Sequence, residues 1–411
     1  MTTAGAVTSA SPAARTGGVV ARYDALDALR GVSAVCVCLF HFKVNSPIAD
    51  IPFIKGSWLF VDFFFVLSGF VIAANYRDRL ADGMPIGDFA LLRLARVYPL
   101  HVVMLLAFIA MEFAGMTLST GGLMKRQPFD DYHSVASIFT NLALVQSFGI
   151  EGRLTWNHPS WSIATEFWTY LLFACAARWA RSAIDWWLAL VAFACETFLL
   201  IHSDHGINVT HDWGMVRCVY GFALGALICR WRPRPVAVTG RRRAFATGLE
   251  LLTAAAVIAY ISLVSTSLLN VGAPLVFAIA VMVFARQAGA VSSLLMAPPL
   301  LWLGLVSYSI YMIHIFVQSR FDDLLKIVGK LTGTVLVTPV KVGATHFDLV
   351  GADPLQGTLF LPVMLALVLA TAALTWRWIE KPGQDWARRM VQRRKPAEFS
   401  QPPLYSQRPQ Y

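Results

Sequence analysis

Apolar runs of roughly membrane-spanning length recur along this chain, and nothing else in it restricts the fold as strongly. The first covers residues 27–41; others lie near 58–75, 97–115, 159–179, 184–201, 213–230, 247–267, 271–286, 299–319 and 358–378. In lipid every backbone donor and acceptor must be satisfied within its own segment, which makes such runs helices. The fold class expected is therefore an all-α integral membrane protein, a polytopic bundle of about ten transmembrane helices. Of the 411 residues 57% are hydrophobic and only 14% charged, too apolar a balance for a soluble domain.

The cationic residues give the orientation. With the N-terminus inside, the inner loops receive Arg77, Arg79, Arg93 and Arg96, then Arg178 and Arg181, then the arginines of 230–243, then Arg286, and finally the basic cluster of 381–395. The outer loop 202–212 has no Lys or Arg. This alternation follows the positive-inside rule and places both termini in the cytoplasm. It also explains the formal charge of +10 without nucleic acid, which is not expected as a partner. Six cysteines, at 36, 38, 175, 195, 218 and 229, lie scattered in apolar runs, with neither metal-site spacing nor the density of a disulfide scaffold. No metal is expected.

Three regions follow. Residues 1–22 are small and polar, a disordered tail with no cleavage pattern after the first apolar run, so that run is an uncleaved span. Residues 23–380 form the membrane domain. Residues 381–411 are basic, then rich in Pro and Gln, and are expected to be a disordered tail. No internal repeat is visible. The outer connections 116–158 and 320–357 are long enough to predict a lid or an interfacial helix.

Ionisable side chains inside lipid are costly, so each calls for a reason. Arg30 and His41 share the first helix. Eleven residues at about 100° each bring them to nearly one face, roughly 16 Å apart along the axis. The topology then separates the remaining groups by depth. His41, Asp62, Ser162, Glu166 and His314 fall in the outer half. Arg30 joins Arg93 and Arg96, just before the third span, at the inner face, where Pro99 suits a helix start. Cations that bind anions lie below and proton-transfer groups above.

These residues stand in recognisable motifs: Arg30-x10-His41; VDFFFVLSGF at 61–70; Arg93-x-x-Arg96 in RLARVYP; PSWSIATE at 159–166; SYSIYMIH at 307–314; and IEKP at 379–382. In that order, over nearly the whole chain, they resemble the acyltransferase-3 family of integral-membrane O-acyltransferases. The resemblance implies about ten transmembrane helices, a cytoplasmic acyl-CoA donor and acylation of a sugar hydroxyl at or beyond the far membrane face. The short tail after the last span suggests the stand-alone form, without the hydrolase-like domain appended in some relatives. Phe316 departs from the pattern, since many relatives have proline two residues after the histidine; the change is expected to alter helix shape more than chemistry.

Acyl transfer from a thioester to an alcohol needs a base for the hydroxyl proton, and His41 is the candidate. Glu166 is its expected carboxylate partner, with Ser162 one turn away on the same helix face. Arg30, Arg93 and Arg96 would clamp the donor's phosphates by charge-assisted hydrogen bonds. Asp62, Trp161, Ser162, Tyr311 and His314 are further candidates. Structural readings compete for each: a helix cap for Asp62, interhelical hydrogen bonding for His314 beside Tyr308 and Tyr311, and interfacial or helix-start roles for Trp161 and Ser162. His101, Glu112, Glu196 and Arg217 read as structural or interfacial, and Trp376 and Trp378 as aromatic belt. Direct transfer and an acylated-enzyme relay both remain open, direct transfer being preferred because no activated Ser or Cys stands out.

The expected donor is acyl-CoA, with acetyl as the group, and no cofactor is expected to be bound. The expected acceptor is a cell-surface or exported glycan or a glycolipid, although no motif selects among polysaccharide, lipopolysaccharide and smaller glycosides. The expected location is a bacterial cytoplasmic (inner) membrane, crossed many times and with the lipid bilayer as a partner. Oligomeric state is open. The alternative is a transporter or flippase of a lipid-linked or hydrophobic solute; the absence of paired Gly- or Pro-broken segments in two halves counts against it.

Overall fold

The computed structural model describes residues 22–120, 129–231, 233–342 and 345–394. It is 76% helical. In chain order the helices are α1 (Asp24–His41), α2 (Pro52–Lys55), α3 (Phe60–Ala81), α4 (Ile86–Thr120), α5 (Val135–Leu142), α6 (Ser160–Trp179), α7 (Ile184–His202), α8 (Gly214–Ile228), α9 (Gly240–Val264), α10 (Ala273–Phe284), α11 (Ala290–Leu295) and α12 (Pro298–Thr332). An antiparallel hairpin, β1 (Val337–Val342) and β2 (Thr345–Val350), precedes α13 (Pro354–Thr375) and α14 (Lys381–Arg393).

Each of the ten apolar runs contains a helix. Among the described residues six helical stretches are long and apolar enough to cross a membrane: Ser57–Ala81, Ile86–Met116, Arg181–His202, Gly240–Val264, Pro298–Thr332 and Pro354–Arg393. The others fall short for readable reasons. Helix α1 carries Asp24, Asp27 and Arg30, and α6 carries Ser160, Ser162, Thr165, Glu166 and Thr169. Helices α8 and α10 are short, at 15 and 12 residues.

Several sequence expectations are corrected. The chain is not wholly helical, because β1 and β2 form a two-stranded sheet within the connection 320–357. Helix α12 continues unbroken to Thr332, where Gly333 adopts the left-handed conformation (φ 67°) that caps it. Arg93 and Arg96 lie within α4 rather than before it. Pro99 is internal to that helix instead of starting it. Residues 381–393, expected in a disordered tail, form α14, which buries Ala387 and Val391. The expected tails at 1–21 and 395–411 lie outside the described residues.

Packing between helices in lipid depends on close contact, because the tails outside are as apolar as leucine. Two crossings rely on glycine. A Cβ on Gly304 of α12 would strike the Asp27 backbone of α1, and one on Gly31 would strike Leu303 and Gly304. At the second crossing a Cβ on Gly225 of α8 would strike the Val66 carbonyl of α3. These approaches bring polar side chains of neighbouring helices within bonding reach. The C-terminal end of α1 is covered by the hairpin: Val350 N–H donates to the Lys43 carbonyl at 3.0 Å and Asn45 N–H to that of Val350 at 2.9 Å.

Candidate active site

The α1–α12 crossing sets one end of the site. His41, on the last turn of α1, is partly buried, and its Nδ1 lies 2.9 Å from the Val37 carbonyl and 3.2 Å from Nε2 of His314. On His314, fully buried in α12, Nδ1 lies 2.7 Å from the Tyr311 carbonyl. Carbonyls only accept, so each Nδ1 carries a proton. His314 Nε2 is then bare and shares the single Nδ1 proton of His41 with the Val37 carbonyl in a three-centre bond. His41 Nε2 is left as a lone pair with no hydrogen-bond partner among the described residues.

A column of polar groups descends from this pair. The Tyr311 hydroxyl lies 2.9 Å from that of Ser162 on α6. One turn further along α6 is Glu166, whose carboxylate accepts from the Tyr170 hydroxyl at 2.5 Å. Tyr170 in turn meets Ser68 of α3 at 2.9 Å. The charge of Arg93 acts on Tyr170, and Arg93 also donates to the Tyr76 hydroxyl at 3.0 Å while stacking over its ring. Arg79 covers the same ring, and Arg96 and Arg388 lie within electrostatic range of its hydroxyl.

At this end Arg30 bonds to Ser307 (2.9 Å) and to the Gly304 carbonyl (3.1 Å) of α12, and pairs with Asp27 at 3.0 Å. Glu380 is buried at a π-helical turn between α13 and α14, the sort of local distortion that recurs at functional sites. It accepts from Ser309 and Gln384, both at 3.0 Å, and feels the charges of Arg96 and Arg30. The three arginines singled out from the sequence therefore surround one region.

Glu166, by contrast, does not meet His41. Its carboxylate bonds to Tyr170, one turn toward the arginines, and the group that touches His41 is His314. Asp62 is not a helix cap but half of a buried ion pair: Arg217 of α8 donates to its two oxygens at 2.9 and 2.7 Å. That guanidinium lies between the rings of Trp58 and Trp161, at 5.2 and 5.3 Å. Trp161 thus belongs to this strut, while Ser162 and Tyr311 belong to the column.

Sequence reasoning passes over His158, Glu380, Tyr76 and Tyr170. His158, in the loop before α6, lies within electrostatic range of His41, Lys43 and His133, and burial holds its imidazole below the ordinary histidine range. Its signal was its place directly before PSWSIATE; that of Glu380 was the IEKP motif. Nothing in the sequence flags either tyrosine. No cluster of three or more His, Cys, Asp or Glu suited to a metal occurs among the described residues.

Comparison with known proteins places the chain in a family. Residues 23–380 match the acyltransferase-3 family model, described as an acyltransferase domain. The chain is 31% identical over 194 residues to protein 2 in the picA locus of Rhizobium radiobacter, covering 44% of this chain and 94% of that protein. It is 30% identical over 197 residues to the acyltransferase MdmB of Streptomyces mycarofaciens, covering 44% of this chain and 47% of that protein. No solved structure matches significantly. With a match that spans all the motif-bearing helices, the chain belongs to the acyltransferase-3 family of membrane proteins and is an acyltransferase of groups other than amino-acyl groups.

Proposed function

We propose that the protein takes an acyl group, acetyl in the first instance, from cytoplasmic acyl-CoA and moves it to a hydroxyl of an exported or cell-surface glycan, with His41 as the general base. The bare Nε2 of His41 carries this reading. His314 and the Val37 carbonyl hold the opposite ring nitrogen protonated, so the free nitrogen is the basic one and the ring cannot turn without losing both bonds. A histidine here performs the orienting task expected of Glu166.

In this reading Arg93 and Arg96, organised by Tyr76 and Glu380, hold the donor's phosphates, and Arg30 fixes α1 against α12 while adding its charge. The thioester arm follows the column past Tyr170, Glu166 and Ser162 to reach His41. His41 removes the acceptor's proton as its oxygen attacks the thioester carbonyl, and that proton leaves with the CoA thiolate. The acceptor enters beneath the hairpin and beside His158. The membrane is a bacterial cytoplasmic membrane, crossed ten times with both termini inside, and the more polar helices α1 and α6 carry His41, Ser162 and Glu166 of the column.

Single-turnover transfer from labelled acetyl-CoA in proteoliposomes tests this. His41→Ala is expected to slow donor deacylation by about 10²–10⁴-fold while donor binding persists, and Arg93→Gln to weaken donor binding with less effect on the rate at saturation. His314→Ala is expected to lower kcat with KM for the donor little changed. A parental rate in His41→Ala would remove the base assignment, and a labelled adduct on His41 would replace direct transfer by a relay.

A further inference from the structure

At the end of the bundle where α1 begins, outside the column just described, a groove of about 440 Å³ opens between the start of α9 and the end of α10. Tyr23 Oη donates to the Pro233 carbonyl at 3.0 Å and Ala25 N–H to Gln287 at 2.9 Å, which ties both walls of the groove to α1. Val236 N–H donates to the Arg286 carbonyl at 2.9 Å and closes the far side.

Arg234, Arg242 and Arg286 line this groove together with Phe245, Leu249 and Val283. All three arginines are exposed, and no carboxylate pairs with any of them among the described residues. The one acid in the lining, Glu250, is already engaged by Gly289 N–H (2.8 Å), Ser292 N–H (3.0 Å) and the Ser292 hydroxyl (2.6 Å). Arginines in an inner loop can simply obey the positive-inside rule. Three of them line one half-open groove with an apolar floor, an arrangement that suits an anion joined to a hydrocarbon. The floor faces the bilayer, because α9 is the least buried of the six spanning helices and Phe245 is 75% exposed.

We propose that this groove binds the phosphate headgroup of an anionic phospholipid, the arginines taking the phosphate and the upper acyl chain lying on Phe245, Leu249 and Val283. Charge complementarity selects the phosphate, and the opening toward lipid selects a membrane amphiphile over a soluble anion. Bound there, the lipid bridges α9 and α10 to the start of α1.

Lipid retention by the purified full-length protein tests this, using native mass spectrometry after exchange into mixed micelles of phosphatidylglycerol or phosphatidylcholine. One phosphatidylglycerol is expected to stay bound and phosphatidylcholine to wash away. Each arginine near such a headgroup is worth about fivefold in affinity, so Arg234→Gln/Arg242→Gln/Arg286→Gln is expected to weaken retention by about 100-fold. Phe245→Ser is expected to weaken it with all three charges in place, and Arg389→Gln/Arg393→Gln on α14 to leave it unchanged. Parental retention in the triple variant, equal retention of phosphatidylcholine, or displacement of the lipid by millimolar inorganic phosphate would each overturn the proposal, the last in favour of a soluble-anion site.

Discussion

Arg217 is only 1% exposed and Asp62 is fully buried, and at such sites the cost of desolvating one charge is offset only by its partner. Asp62→Asn is therefore expected to destabilise the protein by about 3–5 kcal/mol, since it leaves a guanidinium buried beside a neutral amide. The double change Asp62→Asn/Arg217→Met is expected to recover most of that loss, because the thioether chain fits between Trp58 and Trp161 and no charge remains. Unfolding in mixed micelles followed as a double-mutant cycle checks this; additive losses would show that the pair is uncoupled. That Asp62 and Arg217 are unusual in lipid is legible in the sequence, but their pairing is not, because 155 residues separate them. The same separation of function from neighbourhood explains Glu166: its spacing to Ser162 is visible, whereas its attachment to Tyr170 and distance from His41 depend on how α6 is set against α1.

At the scale of elements, α1 and α12 meet through glycines, so helix spacing and site geometry are one quantity. Gly304→Ala would push Asp27 and Arg30 away from α12, lengthening the Arg30–Ser307 and His41–His314 contacts together. A shift of about 1 Å at a catalytic pair typically costs on the order of 100-fold. Gly304→Ala is thus expected to lower kcat by that order while the protein remains folded, and Gly304→Ser no less. Parental turnover in Gly304→Ala, measured with labelled donor, would show that the crossing tolerates the methyl group. Helix existence is legible from the apolar runs, but helix length is less so. Helices α4 and α12 extend well beyond their apolar cores, α4 through the Arg93–Arg96 stretch and α12 through Ser319–Thr332, whose exposed residues include Leu324, Ile327 and Leu331. The hairpin has no such signature: its strands are short, and Pro339 sits within the first.

For the whole molecule, the positive-inside pattern and the polar column make the same demand, that the arginines and the histidine pair lie at opposite faces. In a cysteine-free background, Ser203→Cys after α7 is expected to react with an impermeant maleimide in intact cells, and Arg393→Cys in α14 only after permeabilisation. The reverse pattern would invert the bundle and put Arg30, Arg93 and Arg96, proposed to hold the donor, on the wrong side.

Membrane setting, helix positions, the motif residues and the acyltransferase family are readable from the chain alone, since hydropathy, charge bias and motif order are local or linear properties. Which groups touch is not linear. The partner of His41, the confinement of Glu166 with Tyr170, the burial of Asp62 against Arg217 and the arginine-lined groove beside α9 all arise where helices distant in sequence cross. In lipid, small residues and complementary side chains settle those crossings, and apolar pattern does not encode them.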